Sequence, residues 1–194
     1  ALGVLQDRLA PFPMADAEAI IERQLKKPVG ELFSSFSSAV AAASVAQVHR
    51  AEITADGETR AVAVKGVRPG IWAIFQRDLD AFAFAAKWAC RLFTKVRLLE
   101  PQKFIEVVAK SMREEMDLRT EAAACSELRE NNEGREDFIV PQVDWERTSR
   151  GVLTTSWVSG TPLGNVMELE AQGFDLEALG TLVVQSFMTQ ALMA

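Results

Sequence analysis

A run of small residues, one lysine and three carboxylates are the parts of this sequence that could bind a nucleotide phosphate. The small residues are Ala41, Ala42, Ala43 and Ser44, and Lys65 follows the apolar run 61–64. A turn at 56–57 between these segments is typical of a β-hairpin. We therefore expect loop amides and the Lys65 ammonium to contact the same polyphosphate.

The carboxylates lie on a helix that the apolar spacing predicts from Pro101 to about Glu130. Asp117 and Glu121 are one helical turn apart, whereas Glu115 projects about 160° away from Asp117. Glu115 and Asp117 can both reach one site only if the helix is irregular there or the cleft wraps around it. We predict that Glu121 pairs with Lys65, with Glu115 as the alternative partner; an exposed acidic helix face is the other interpretation of this cluster.

Three motifs of this sequence resemble the UbiB family of atypical protein-kinase-like proteins, whose best-known members support ubiquinone biosynthesis. They are Ala-Ala-Ala-Ser-Val-Ala-Gln-Val-His at 41–49, Val-Ala-Val-Lys-Gly-Val-Arg-Pro-Gly-Ile at 62–71, and Glu-Met-Asp followed by Glu-Ala-Ala at 115–123. An alanine-rich loop in place of the kinase glycine-rich loop is a mark of that family. Close packing of another element is the alternative reason for small residues between strands.

The resemblance implies the ligands and the roles of these residues. ATP or ADP would bind under the alanine loop, with Lys65 on the α- and β-phosphates. The E-x-D carboxylates, Glu115 and Asp117, would take part in binding Mg²⁺ with the nucleotide. Alanine methyl groups restrict the backbone, so a stiff loop with altered nucleotide selectivity or slow transfer is expected.

The run 154–160 resembles the family's hinge, Thr-Met-Glu-Trp-Val-x-Gly, with Thr-Ser in place of Met-Glu. The resemblance places Thr155 at the gatekeeper position and the backbone of Ser156, Trp157 and Val158 against adenine. A strand that ends in a glycine turn would explain the same residues. Two β-like runs, 138–145 and 150–158, are predicted around a polar turn at 148–150.

The predicted fold is α+β, with three parts in sequence order. Residues 1–36 form an N-terminal helical extension whose helix is capped by Asp16 and ends near Lys27. Residues 37–160 form a protein-kinase-like N-lobe, an antiparallel sheet with an inserted helix at about 70–100 and the carboxylate helix. Residues 161–194 begin a truncated C-lobe, with Asp175 capping its second helix.

Two motifs of kinase-like chemistry are missing after Gly160. No H-x-D-x-H-P-G-N catalytic loop and no Asp-Phe-Gly metal-binding segment follow. We therefore interpret the chain as a fragment that holds half a nucleotide site and contains no catalytic residue. By itself we expect it to have no turnover and at most weak nucleotide binding.

Three classes of function remain open for the whole protein. The first is an atypical kinase or ATPase of ubiquinone biosynthesis that acts on proteins or lipid intermediates. The second is a nucleotide-sensing scaffold without phosphotransfer, which the alanine loop favours. The third is a direct hydroxylase of a polyprenylphenol, against which stand the lack of a flavin fingerprint and the single histidine.

Composition narrows the partners further. A net charge of −6 argues against a nucleic-acid surface. Cys90 and Cys125 have no zinc-ligand spacing, and we expect His49 to be structural.

No apolar run is long enough to cross a bilayer, so we expect a soluble fragment. The family resemblance implies membrane association through other parts, at the cytoplasmic face of a bacterial inner membrane or an organelle equivalent.

Overall fold

The computed structural model describes residues 10–55, 57–135 and 137–193. A four-stranded antiparallel sheet with strand order β1-β2-β3-β4 organises it, which confirms the predicted α+β class. The strands are β1 (Ser35–Ala42), β2 (Ala46–Ala55), β3 (Glu58–Val67) and β4 (Val152–Ser156). The helices are α1 (Met14–Leu25), α2 (Val29–Leu32), α3 (Ile71–Leu92), α4 (Pro101–Glu115), α5 (Leu118–Asn131), α6 (Val166–Ala171) and α7 (Leu176–Met193). Short 3-10 helices span Thr94–Leu99 and Trp145–Arg147.

The hairpin of β2 and β3 is the most regular part of the sheet. Pairing is unbroken from Ala46 opposite Val67 to Ala55 opposite Glu58. Gly57 in the connection has a φ of 81°, the left-handed conformation that hairpin turns need and that glycine adopts without strain. Asp56, the other residue of the predicted turn, lies outside the described residues.

One face of the sheet packs against α1 and α2. Apolar residues at helical spacing on α1, Ala17, Ile20 and Ile21, are buried there. The buried residues of this core are Phe12, Ala17, Ile20, Ile21, Leu32, Phe33, Ala51, Ile53, Val62, Val64 and Val152. The predicted Asp16 cap is wrong, because α1 begins at Met14 after Pro13, and Asp16 lies in the first turn, where its charge favours the helix dipole.

The opposite face packs against α5. Leu118 and Ala122 on that helix are buried with Val143 and Leu153. The prediction of one continuous helix from Pro101 to Glu130 is wrong: α4 ends at Glu115, and Met116 and Asp117 separate it from α5. Met116 is buried, and the Leu118 N–H donates to the Arg150 carbonyl at 3.0 Å. This tertiary contact sets the start of α5 together with the Asp117 side chain, whose Oδ1 accepts from the Arg119 N–H at 3.2 Å.

The inserted helix α3, expected at about 70–100, ends at Leu92, before the 3-10 helix Thr94–Leu99, and it leaves much of its apolar surface exposed. Leu79 and Ala86 are buried on it, whereas Phe82, Phe84 and Leu92 are each about two-thirds exposed. A groove of about 430 Å³ between α3 and α4 has an almost wholly apolar lining. The apolar surface of α3 is therefore wider than the area that the other described helices cover.

The strand predicted at 138–145 is reduced to a single bridge. Val143 opposes Thr155, and the Asp144 N–H donates to the Thr154 carbonyl at 2.8 Å. Pro141 has no N–H to donate, and the 3-10 helix begins at Trp145, so the ladder cannot extend in either direction.

The chain forms two compact units, and residues 132–140 with 158 onwards make up the smaller one. In that unit Arg135 donates to both oxygens of Asp137, at 3.0 and 2.7 Å, and to Asn132. Asp175 caps α7 as predicted, since its Oδ1 accepts from the N–H groups of Glu177 and Ala178.

Candidate functional site

Four residues, one from each strand, form a row across the sheet. Ala41 opposes Val48, Val48 opposes Lys65, and Lys65 opposes Leu153. Residues directly opposite one another project to the same face of a sheet. Two strand spacings of about 4.8 Å place the Cα atoms of Ala41 and Lys65 about 10 Å apart. The alanine segment and the lysine therefore share the face on which α5 packs.

Lys65 and Glu121 form an ion pair on that face. The Lys65 Nζ donates to the two carboxylate oxygens of Glu121 at 2.9 and 2.7 Å. Of the two predicted partners, the structure brings Glu121 and not Glu115 to the lysine. The side chains are 32% and 49% exposed, so this pair contributes about 0–1 kcal/mol to stability, as surface pairs do, rather than the several kcal/mol of a buried one.

Packing of α5 fixes where Glu121 lies. Ala122, fully buried, and Leu118 seat the helix on Leu153, the residue that opposes Lys65 in the sheet. Glu121 follows Leu118 by three positions, close to one turn, and so comes to the edge of this contact beside the lysine. The apolar pattern of α5 thus positions its one carboxylate that contacts Lys65.

Asp117 and Glu115 have different surroundings from Glu121. Arg119 donates to Asp117 Oδ1 from Nε at 2.9 Å and to Oδ2 from Nη2 at 2.6 Å, and the Arg150 Nε lies 4.0 Å from Oδ2. The side-chain hydrogen bond from Arg119 is the main reason that the pKa of Asp117 is lowered. Glu115 is exposed at the end of α4, and its carboxylate has no ion pair within the described ranges.

The alanine segment is shorter as a loop than the sequence indicated. Ala41 and Ala42 belong to β1, opposite Val48 and Gln47, and only 43–45 connect β1 to β2. The Ala43 N–H donates to the Ala46 carbonyl at 2.8 Å. In the part of the chain that the structure describes, the N–H groups of Ser44 and Val45 have no partner. These two amides are the donors that the turn can offer to an anion.

This turn is built without a left-handed residue. Lys26 and Glu100 are the residues other than glycine with positive φ among those described, so Ala43, Ser44 and Val45 all have negative φ. Alanine and valine adopt such angles without strain. The turn therefore has no need for glycine.

Arg68 holds the turn to the end of β3, a role that the sequence interpretation missed. Its N–H donates to the Val45 carbonyl at 2.7 Å, and its Nη2 donates to the carbonyls of Ala43 and Ala10 at 3.4 and 3.2 Å. The guanidinium carbon lies 5.3 Å from the centre of the Phe12 ring. The only local signal was an arginine three residues after Lys65, directly before Pro69-Gly70.

Two of the three predicted hinge N–H groups already donate to carbonyls of the protein itself. The Ser156 N–H donates to the Gln142 carbonyl at 2.8 Å, and the Trp157 N–H donates to the Ala61 carbonyl at 3.0 Å. The Val158 N–H has no partner within the described residues. Thr155 opposes Ala63, two positions from Lys65, so it lies on the same sheet face as the lysine. Of the three N–H groups, only that of Val158 is free for a ligand in this part of the chain.

His49 lies on the other face, in a buried polar chain. Its Nδ1 is 2.9 Å from the Ser37 carbonyl, and its Nε2 is 2.9 Å from the Gln47 Nε2. Nδ1 must therefore donate and Nε2 must accept. Gln47 Oε1 in turn accepts from the Phe12 N–H at 2.9 Å. Burial lowers the pKa of His49, and its contacts are those of a structural residue.

No group of three or more potential metal ligands occurs among the described residues. Mg²⁺ in nucleotide sites commonly uses one or two protein carboxylates, with phosphate oxygens and water completing its shell. The exposed Glu115 fits that pattern. Asp117 fits it only if its oxygens exchange Arg119 for the metal.

The fold and this arrangement define a class of protein. An antiparallel sheet with a lysine on its third strand, ion-paired to a glutamate on a helix packed against the sheet, is the N-lobe of a protein-kinase-like protein. The chain belongs to the family described as the ABC1 atypical kinase-like domain, whose model matches residues 4–194.

Relatives of known name agree with this membership. The chain is 37% identical over 191 residues to "Probable protein kinase UbiB" of Marinobacter nauticus, covering 98% of this chain and 34% of that protein. It is 40% identical over 190 residues to the protein of the same name from Pseudomonas putida strain GB-1, covering 97% and 35%. The chain thus spans about a third of the length of these relatives. The identities of 37% and 40% confirm the predicted resemblance to UbiB proteins.

None of the described helices combines the length and the apolar character that crossing a bilayer requires.

Proposed function

We propose that this chain is the nucleotide-binding part of a UbiB-like atypical kinase or ATPase, with ATP or ADP and Mg²⁺ as its ligands. The observation that carries the proposal is the Lys65–Glu121 ion pair on the sheet face shared with Ala41 and Thr155. An ammonium group held by two hydrogen bonds keeps a third proton free to donate. That proton would be directed to a phosphate oxygen.

Other groups of the chain complete the proposed nucleotide site. The N–H groups of Ser44 and Val45 would donate to phosphate oxygens, and Ala41, Ala42 and Ala43 would cover them. The Val158 N–H would donate to adenine beside Thr155, while Ser156 and Trp157 would contribute contacts other than their N–H groups. Glu115, and Asp117 after release from Arg119, would be ligands of a Mg²⁺ ion bound with the nucleotide, which neutralises phosphate charge.

For the whole protein we propose a role in ubiquinone biosynthesis. Its substrates would be proteins or lipid intermediates of that pathway, and parts outside this chain would associate with the membrane, at the cytoplasmic face of a bacterial inner membrane or an organelle equivalent. The relatives from Marinobacter nauticus and Pseudomonas putida are named as probable protein kinases, which supports phosphotransfer.

Binding of ADP with Mg²⁺, measured by isothermal titration calorimetry, tests the proposal. We expect Lys65→Ala to weaken binding at least about tenfold, because a charge-assisted hydrogen bond is lost. Lys103→Ala is the matched control, since Lys103 also forms an exposed ion pair, with Glu100 at 3.2 Å. Equal binding by the wild type and both variants would refute the proposal.

Turnover is a separate question. The sequence after Gly160 contains no H-x-D-x-H-P-G-N loop and no Asp-Phe-Gly segment. We therefore expect the 194-residue chain by itself to show no Mg²⁺-dependent ATP hydrolysis. Hydrolysis that disappears in Lys65→Ala would contradict this expectation.

A nucleotide-sensing scaffold is the second candidate, and the closed alanine turn favours it. The Ala43–Ala46 hydrogen bond and Arg68 hold the turn, so it has little freedom to follow a moving phosphate. A scaffold would bind a partner protein in a nucleotide-dependent way without consuming the nucleotide. Measuring turnover and partner binding on the same sample distinguishes the two functions.

A further inference from the structure

A second pocket, of about 280 Å³, lies at the end of β3, apart from Lys65 and Glu121. Residues of α1, the first turn of α3, the α4–α5 junction and the segment before β4 line it. Three of the lining residues are arginines, Arg23, Arg68 and Arg150. Three arginines around one pocket are notable in a chain of net charge −6.

The charges of these arginines are poorly compensated by the protein. Within the described ranges no carboxylate lies within 4.0 Å of Arg23 or Arg68. Arg150 has only the 4.0 Å contact with Asp117, whose oxygens are already held by Arg119. Arg68 Nε is buried, and it is the one buried side-chain nitrogen or oxygen atom that has no hydrogen-bond partner among the described residues. Among the described residues, the positive charge at this pocket is thus matched only by the distant Asp117 carboxylate.

The start of α3 adds to the positive potential. Gly70, at φ 71°, precedes the helix, and no side chain caps its N-terminus. The first turn contains no acidic residue, in contrast to α1 with Asp16 and α5 with Glu121. Uncapped N–H groups at the start of a 22-residue helix favour an anion there.

The remaining lining is apolar and suggests the rest of the ligand. Ile20, Ile71 and Trp72 line the pocket together with the arginines. Guanidinium groups bind phosphate through paired hydrogen bonds, and an indole ring packs well against a flat apolar group. The volume holds a phosphate and a group of about ring size, but a nucleoside triphosphate is too large for it.

We propose that this pocket binds a small organic phosphate, a phosphate monoester with a compact apolar group. The phosphate is recognised by Arg23, Arg150 and the first turn of α3. Arg68, whose Nε is buried from solvent, adds a longer-range electrostatic attraction. The apolar group packs against Trp72. This pocket includes neither Lys65 nor Glu121, but its Arg150 Nε lies 4.0 Å from Asp117 Oδ2, so it adjoins the proposed nucleotide site there.

Calorimetric titration of the purified protein with phenyl phosphate at low ionic strength tests this assignment. We expect saturable binding of one equivalent, weakened about tenfold by Arg23→Ala and by Arg150→Ala, since each removes a charge-assisted contact. Both side chains are exposed enough that the variants should fold, which circular dichroism checks. Benzoate, with a single charge, should bind more weakly than phenyl phosphate.

Two controls locate the bound anion. Arg113→Ala removes an exposed arginine of α4 whose Nε donates to the Ala109 carbonyl at 3.0 Å, and it should leave phenyl phosphate binding unchanged. Lys65→Ala should also leave it unchanged while weakening ADP binding, so the two sites fail independently. The assignment would be overturned if phenyl phosphate showed no saturable binding, or if benzoate bound as tightly. It would also be overturned if Arg113→Ala or Lys65→Ala weakened binding as much as Arg23→Ala and Arg150→Ala do.

Discussion

The ammonium nitrogen of Lys65 on β3 contacts both carboxylate oxygens of Glu121 on α5, a residue 56 positions later in the chain. Neither side chain is buried, at 32% and 49% exposure. Water therefore screens the pair, and its main effect is to hold the ammonium in place. Function should depend on this contact far more than folding does.

A double-mutant cycle with Lys65→Met and Glu121→Gln measures this contact. We expect a coupling energy of about 0.2–1 kcal/mol in the free energy of unfolding, the range of exposed ion pairs. Urea denaturation of the four proteins gives the value. The pair of Lys103 and Glu100, 73% and 65% exposed, is the matched control. A coupling of about 3 kcal/mol or more would mean that the pair is buried in solution.

The single histidine of the chain should make stability depend on pH near neutrality. Burial lowers the pKa of His49 from its ordinary 6.5, so the unfolded chain takes up a proton that the folded protein does not. Its contribution is present above about pH 6.5 and is lost as the pH falls through and below that value. We expect a smaller free energy of unfolding at about pH 5.5 than at about pH 7.5.

The variant His49→Gln isolates this effect. It should be less stable than the wild type at the higher pH, because it disrupts the contacts to Ser37 and Gln47. Its loss of stability between the two pH values should be smaller than that of the wild type. An equal loss in both proteins would assign the pH dependence to other groups.

Asp117 should contribute to the stability of the protein in acid. The Arg119 hydrogen bond lowers the pKa of this carboxyl in the folded protein, so its contribution is present above about pH 3.9 and lost as the pH falls through the folded value. In Asp117→Asn and in Arg119→Gln, the free energy of unfolding should fall less steeply below about pH 4. Acid titration followed by tryptophan fluorescence measures these slopes. If both variants kept the wild-type slope, Asp117 would not contribute to the stability of the protein in acid.

The packing of α1 on the sheet should be needed for folding of the larger unit. Ile21 is 1% exposed in the core that α1 and the sheet share. We expect Ile21→Ala to lower the free energy of unfolding by about 2–5 kcal/mol through lost burial and a cavity. Ile74→Ala on α3, at 46% exposure, should cost about 1 kcal/mol or less. Similar costs for the two variants, measured by urea denaturation, would show that α1 is not part of the core.

Much of the hairpin and of α3 was predictable, because their signals are local. The apolar run 61–64 and the glycine at 57 specify strands and a turn within a few residues, and Pro69-Gly70 marks the start of α3. The break between α4 and α5 was not predictable in this way. Met116 is buried, and the start of α5 is held by the Arg150 carbonyl, 32 positions after Leu118, in addition to the local cap that Asp117 Oδ1 makes to the Arg119 N–H.

The sequence by itself determined that a lysine ends an apolar run, that a run of small residues precedes it, and that carboxylates at helical spacing follow, because such patterns depend on residue type and periodicity alone. The tertiary structure decided that Glu121 and not Glu115 reaches Lys65, that Arg119 holds Asp117, and that Arg23, Arg68 and Arg150 line one pocket. Periodicity specifies which face of a helix or strand a side chain occupies. Only the packing of those faces against one another specifies which distant residue it meets.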